Sequence, residues 1–316
     1  HTRLQGHWSS DVCSSDLIPT AIAIMQLQEQ GKLTLDDEVT KHLPWFEVKY
    51  PSSTSLTITI RHLLQHTAGL KNPIPAMIGW VHYDDTTPNQ TDVLKKYLSE
   101  FKSLEFEPGT KAVYSNSNYM VLGAIIEAAS GQTYETYITE NILQPLGMTQ
   151  TSFVYLPSMA EHEAAGSLPV IHFFTPLLPT LLDTNTLVRE RGGKLLWLKR
   201  IYIEATPPTG LIGSAPDVAK LMMAYLNRGT LNGQSILSPQ SISTLTNTLP
   251  INGRGLGWAV GDSDGELYLE HGGGGPGFAT TMRLYPESGI GIVILTNGTD
   301  LDRDGLADLL KAITYQ

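Results

Sequence analysis

The chain predicts an α+β fold: an antiparallel sheet flanked by helices, joined to a mainly helical region. Three observations carry that expectation. Helical periodicity dominates until about residue 250, and then gives way to short β-rich runs separated by Gly, Asp and Ser turns. The connections between those runs are too short for crossovers, so consecutive strands should pair antiparallel. Helices first and a strand meander late favour α+β over alternating βαβ units.

The elements follow in order. Ala21, Ile22, Met25 and Leu27 share or border one face of a helix that Gly31 can end. Thr59 caps a short helix expected to run through His66, with Gly69 beyond it. Residues 91–102 place Leu94, Tyr97, Leu98 and Phe101 at helical spacing. Residues 118–130 form the next helix, stopped by Gly131, and residues 133–143 another, ahead of Pro145. Ser214 starts a helix over residues 215–228 with Pro216 in its first turn, and Ser238-Pro239 repeats the signal. Strands are expected over 256–261, 266–271, 278–285 and 290–296, and a closing amphipathic helix over 301–315.

Composition narrows the function. The 316 residues are 41% hydrophobic and 16% charged, so the chain can bury one large core or two smaller ones. A net charge of −10 argues against nucleic acid as the main partner, because phosphate binding needs basic patches. The basic cluster from Arg189 to Arg200 is interrupted by Glu190 and by Leu195, Leu196, Trp197 and Leu198. It reads as an amphipathic surface segment, with an anionic or membrane-surface contact as the lesser alternative. The longest apolar candidate, residues 170–182, falls short of the ~18 residues of a spanning helix and carries Pro176 and Pro179. One cysteine, Cys13, allows neither an internal disulfide nor a multi-cysteine metal site.

The start of the chain reads differently from the rest. Trp8 to Leu17, WSSDVCSSDL, has no periodicity, and its back-translation resembles the end of a common short-read sequencing adapter. Residues 1–17 are therefore expected to be foreign to the protein, with native sequence resuming near Ile18 and any leader or early strands lost.

Two triplets suggest chemistry. Tyr114-Ser115-Asn116 sits on a turn between Pro108-Gly109-Thr110 and a helix. A tyrosine hydroxyl can relay a proton and an asparagine amide can hold a substrate carbonyl. A loop with a helix cap explains the triplet equally well when it stands alone. His271-Gly272-Gly273-Gly274 is expected to end a strand. Its glycines would let a substrate backbone approach and offer N–H groups to an oxyanion, or they could simply form a hairpin turn. His62 and His66 have the spacing of a zinc helix, but Leu63 stands where HExxH needs glutamate. Gly272 to Gly277 fits GxGxxG formally, yet Pro276 lies inside it and β-like sequence follows.

Taken in order, longer stretches are more specific. AIAIMQLQEQGKLTLDDEVTKHLP, TIRHLLQHTAGL and FEPGTKAVYSNSNYMVLGAIIEAASGQTYETYITENILQPLGMTQTSF precede GLIGSAPDVAKLMMAYLNRG, GLGW and HGGGGPGFATTMRLYPESGIGIVILTNG. Together they resemble the serine β-lactamase-like family, which includes class C β-lactamases, D-Ala-D-Ala peptidases and related esterases. The resemblance runs from Ile18 to Asn297, broken by an atypical stretch at about 168–206.

The resemblance implies a β-lactamase/transpeptidase-like fold. An α/β region (18–34 and 207–316) would face a mainly helical region (35–206) across a cleft, with the family's first two strands missing and one side of the sheet unpaired. It places the nucleophile of a Ser-x-x-Lys motif at Ser14 and the lysine position at Leu17, where an aliphatic side chain cannot take a proton. Tyr114 matches the proton-relay tyrosine and Asn116 the substrate-positioning asparagine. His271 and Gly273 match the third motif, and the N–H groups of Ser14 and Gly274 would form the oxyanion hole. Histidine rather than lysine at 271 leans away from a dedicated β-lactamase.

The implied function is a metal-free serine hydrolase, using no cofactor, that forms an acyl-enzyme on small esters or D-amino-acid amides and peptides. The change at Leu17 would impair this chain. The alternatives are a non-catalytic ligand-binding protein on the same fold and, within the enzyme class, a β-lactamase. A periplasmic or secreted parent is expected. The atypical stretch could roof the cleft and supply an apolar acyl pocket, or form a peripheral helical pair.

Overall fold

The computed structural model describes residues 9–10, 16–51, 56–73, 77, 79–161, 163–170, 184–263 and 265–314. Helix α1 (Leu17–Glu29) is buried at every residue from Leu17 to Leu27, as expected of a helix apolar on all sides. It ends where Gly31 takes φ +69°, a backbone state that glycine reaches without steric penalty. Two polar groups fix its orientation. Thr20 Oγ1 lies 2.7 Å from the Tyr134 hydroxyl and donates to the Pro207 carbonyl, and Gln26 Nε2 donates to the carbonyls of Ile236 and Asn141.

Helix α2 (Ile60–Leu64) carries the reciprocal cap its sequence promises: Thr59 Oγ1 accepts from His62 N, and His62 Nδ1 accepts from Thr59 N. It stops short of the expected His66 because His66 itself has φ +57° and cannot continue a right-handed helix. Helix α3 (Gln90–Phe101) starts on the buried Glu127, whose carboxylate accepts the N–H groups of Gln90 and Thr91. Glu127 belongs to α4 (Asn116–Ser130), which Gly131 closes at φ +77°. Helix α5 (Tyr134–Ile138) passes into a π-helical turn at Thr139–Leu143.

The stretch expected to be either a roof or a helical pair is, in its described part, mostly strand. β1 (Ser167–Pro169), β2 (Val188–Gly192) and β3 (Leu195–Leu198) form an antiparallel sheet in the order β1-β3-β2. A short helix at Thr184–Leu187 precedes β2. Leu196 and Leu198 are buried while Leu195 and Trp197 are only partly so. That period of two, with Gly193 at φ +60° in the turn, selects a hairpin over helices. Residues 171–183, most of the apolar part of the stretch, lie outside the described residues.

The main sheet is the expected meander. β4 (Ala259–Ser263), β5 (Glu266–Gly275), β6 (Phe278–Tyr285) and β7 (Ile290–Thr296) pair antiparallel in chain order. β6 is buried at all its residues, so both faces of the sheet are covered. Leu269, Met282, Leu284 and Val293 face the core shared with α1 and with α6 (Ala215–Leu226). Tyr285, Ile292 and Ile294 pack with Ala307 of α8 (Arg303–Thr314) on the other side. Helix α7 (Pro239–Asn247) completes the α1 side. Among the described residues β7 is an edge strand, and no helix is long and apolar enough to cross a membrane.

Candidate functional site

The Tyr114 loop is built on the HTAGL segment. Val113 N donates to His66 O, Gly109 N to Thr67 O and Glu105 N to Gly69 O, at 2.8 to 2.9 Å. The two loops are thus zipped together backbone to backbone. His66 then supports the triplet from beneath. Its Nδ1 accepts from Ser115 N at 3.2 Å and faces Asn118 Nδ2 at 3.1 Å, and its ring lies 4.5 Å from that of Tyr114. With both neighbours acting as donors, Nδ1 is the acceptor and the imidazole is neutral. Burial, reinforced by Arg254 and His271, holds the His66 pKa well below the ordinary histidine range.

Each residue of the triplet has its own task. The Tyr114 hydroxyl donates to Asn116 Oδ1 at 3.0 Å. Ser115 is the N-cap of α4, its Oγ accepting from Ser117 N. Asn116 is fixed by Asn72, whose Oδ1 accepts the Asn116 N–H, and by a contact of its amide nitrogen with Met77 Sδ at 3.4 Å. The helix-cap reading of this triplet thus falls on Ser115, while Tyr114 and Asn116 line a cleft.

Across the cleft, β5 runs on to Gly275, so His271 lies within the strand and not at its end. The glycines pair with β6, from Gly272 opposite Thr281 to Gly275 opposite Phe278. Pro276 and Gly277, the latter at φ +81°, make the turn instead. β4 stops pairing at Ala259 opposite Glu270. From His271 onward one edge of β5 is consequently free of β4, and that edge borders the cleft. His271 is buried, its Nδ1 has no hydrogen-bond partner among the described residues, and burial together with Arg254 lowers its pKa to about 3. The ring is neutral at pH 7 and presents no charge.

A cleft of about 500 Å³ gathers Tyr114, Asn116, His271, Gly273 and Gly274. Ser14 lies outside the described residues. Leu17, the first residue of α1, is wholly buried in the core. Its neighbour Asp16 is also buried and accepts the N–H groups of Gly210 and Leu211.

The structure adds residues that sequence reasoning passed over. Arg254 and Arg303 line the cleft. Arg254 immediately precedes the GLGW stretch that supported the resemblance, and Arg303 opens α8, where it donates to the Gly273 and Thr280 carbonyls. His66 entered the sequence reading only as a zinc decoy. Its signal was proximity in the fold to Tyr114, which no spacing encodes.

A meander sheet backed by helices, with a Tyr-x-Asn loop facing a His-Gly-Gly strand across a cleft, defines the β-lactamase/transpeptidase-like class of folds. The sequence pattern of the family described as Beta-lactamase matches residues 18–315, and the chain belongs to that family of serine hydrolases. The match begins one residue after Leu17. Penicillin-binding protein 4* of Bacillus subtilis (strain 168) is 31% identical over 306 residues, which are 94% of this chain and 62% of that protein. The chain spans about half to three fifths of the length of the curated relatives it matches, 52% and 62% for two of them. The octameric penicillin-binding protein homologue from Pyrococcus abyssi superposes with a TM-score of 0.75 at 26% identity, covering 96% of this chain and 66% of that one. D-amino acid amidase from Ochrobactrum anthropi SV3 also gives 0.75, at 19% identity over 99% of this chain and 86% of its own, and shows the fold alone.

Proposed function

We propose that the protein is a serine hydrolase that works through an acyl-enzyme on small esters or D-amino-acid amides and peptides. In the chain as it stands the acylation step would be impaired at Leu17. The observation that carries this reading is the cleft in which the Tyr114 hydroxyl and Asn116 amide face the free edge of β5 at His271 to Gly274. The name of the penicillin-binding relative supports the substrate class.

The chemistry would run as follows. The Ser14 hydroxyl attacks the carbonyl, and the N–H groups of Ser14 and Gly274 stabilise the oxyanion. Asn116 holds the substrate amide. The base at the lysine position, together with Tyr114, takes the Ser14 proton and passes it to the leaving group, and water then releases the acid. The carbon side chain of Leu17 can neither accept the serine proton nor lower the pKa of Tyr114. A lysine in that buried position would be partly discharged by desolvation, which is the state a base requires.

A second reading has one observation in its favour: the apolar, fully buried Leu17 suits a binding protein that keeps the cleft without the chemistry. Intact mass after incubation with an activated ester separates the two. The hydrolase reading expects a Leu17→Lys variant to gain one acyl group at Ser14 while the unaltered chain gains none or gains it far more slowly. Labelling of neither would favour the binding protein. Equal labelling of both would remove Leu17 as the defect.

A further inference from the structure

We propose that Arg303 is a positioning residue for the oxyanion site: its guanidinium polarises the peptide group between Gly273 and Gly274, and so strengthens the Gly274 N–H as a donor toward the cleft. The word oxyanion rests on the hydrolase reading; the polarised peptide rests on the geometry of β5, β6 and α8 alone.

Arg303, the first residue of α8, donates through Nη1 to the Gly273 carbonyl at 2.7 Å and to the Thr280 carbonyl at 2.5 Å. Gly273 and Thr280 are cross-strand partners. One nitrogen reaches both carbonyls because both lie between β5 and β6. No peptide bond among the described residues is cis, and in a trans peptide the C=O and N–H point to opposite sides. The Gly274 N–H belongs to the same peptide group as the Gly273 carbonyl, so it points away from β6. That is the side on which β5 has lost β4 and borders the cleft.

Charge gives this contact its effect. Among the described residues the arginines in ion pairs are Arg61, Arg200 and Arg283, so the Arg303 charge acts on the backbone and not on a carboxylate. A hydrogen bond from an ionised donor is roughly twice as strong as one between neutral groups. A bond accepted at a carbonyl in turn strengthens the N–H of the same amide. The strand also needs a hold here, because residues 272–275 are all glycine, the residue with most backbone freedom. Gly272 leaves room for the guanidinium: a Cβ there would stand 3.9 Å from Nη1 and 3.8 Å from the Thr280 carbonyl oxygen, and a longer side chain would crowd it. With Nη1 committed to backbone, Arg303 acts through Gly274 and not on the substrate itself.

Two measurements test this. In the otherwise unaltered chain, the NMR resonance of the Gly274 amide nitrogen reports hydrogen bonding at the preceding carbonyl. Arg303→Gln keeps an N–H donor without the charge and should move that resonance upfield; Arg303→Lys should move it less. A resonance that stays in place in Arg303→Gln would overturn the inference. In the Leu17→Lys background, acylation by p-nitrophenyl acetate should slow roughly tenfold in Arg303→Gln, part of the ~10²–10³ lost when an oxyanion donor is removed outright. The loss should fall on the rate at saturating ester, with KM little changed, and Arg303→Lys should recover most of it. The carbonyl stretch of the acyl-enzyme should rise in frequency in Arg303→Gln, because a weaker donor polarises it less. If Arg303 only stapled β5 to β6, Arg303→Gln would lower Tm and leave the carbonyl stretch where it was, and that result would also overturn the inference. A Gly274 shift in a chain that never acylates, even as Leu17→Lys, would remove the hydrolase reading and leave the polarised peptide standing.

Discussion

Asp16 accepts the backbone N–H of Leu211 at 2.9 Å with an oxygen that also takes the N–H of Gly210. This contact ties the start of α1 to the segment leading into α6. Burial raises the Asp16 pKa well above the ordinary carboxylate range, opposed by those two backbone bonds. The folded state therefore keeps its proton to higher pH than the unfolded chain. Stability from this group is fully present below about pH 4 and is lost as pH rises through the folded pKa. Asp16→Asn keeps an acceptor and removes the titration. The variant should be more stable than the parent at pH 7, with the gap closing towards pH 4. Urea midpoints at the two pH values check this, and an equal gap at both would refute it.

The opposite sign applies to His66 and His271. Burial lowers both pKa values, that of His271 to about 3. The unfolded chain binds protons on these rings below about pH 6.5, and the folded chain resists them. Each contribution is present above pH 6.5 and is lost as pH falls through that ring's folded pKa, about 3 for His271. His271→Asn should therefore lose less stability than the parent between pH 7 and pH 4, by on the order of a few kcal/mol. In an NMR titration the parent His271 ring should stay neutral through pH 5. A ring titrating near 6.5 would count against this account.

Arg283 organises the far side of the sheet. Its side chain is 3% exposed and pairs with Glu270 at 2.5 Å, Asp308 at 2.6 Å and Asp304 at 3.4 Å. Arg283→Met would leave Glu270 uncompensated beside His271 and should cost about 2 kcal/mol or more. Asp304→Asn should cost less than about 1 kcal/mol, because that carboxylate is 77% exposed. Thermal unfolding of the two variants gives the comparison.

The sheet was legible in the sequence because each strand is bounded by turn residues; β6 and β7 match the expected runs end to end. β5 was misjudged at its C-terminal end because glycine carries no strand preference of its own, and pairing with β6 decides its state. The helix after Thr59 was overrun because the left-handed backbone at His66 has no mark in its residue type. Tyr114, Asn116 and His271 could be named in advance through their motifs. Arg254 could not: it reaches the cleft by meeting the Tyr114 ring, more than a hundred residues away in the chain.

Gly69 and Gly31 offer a paired test of what holds the Tyr114 loop. Both have positive φ, +81° and +69°. A Cβ at Gly31 would meet nothing, whereas one at Gly69 would overlap the Phe106 carbonyl oxygen. That carbonyl lies beside Glu105, whose N–H the Gly69 carbonyl accepts at 2.8 Å. Gly31→Ala should cost about 1 kcal/mol, the conformational penalty alone. Gly69→Ala adds a backbone clash that no side-chain rotation relieves and should cost about 2 kcal/mol or more. It should also weaken ligand affinity, because Val113 and Gly109 hang on the same HTAGL backbone that carries Tyr114. Equal losses in the two variants would mean that the loop yields freely at Phe106, and the rigid support drawn here for Tyr114 would have to be abandoned.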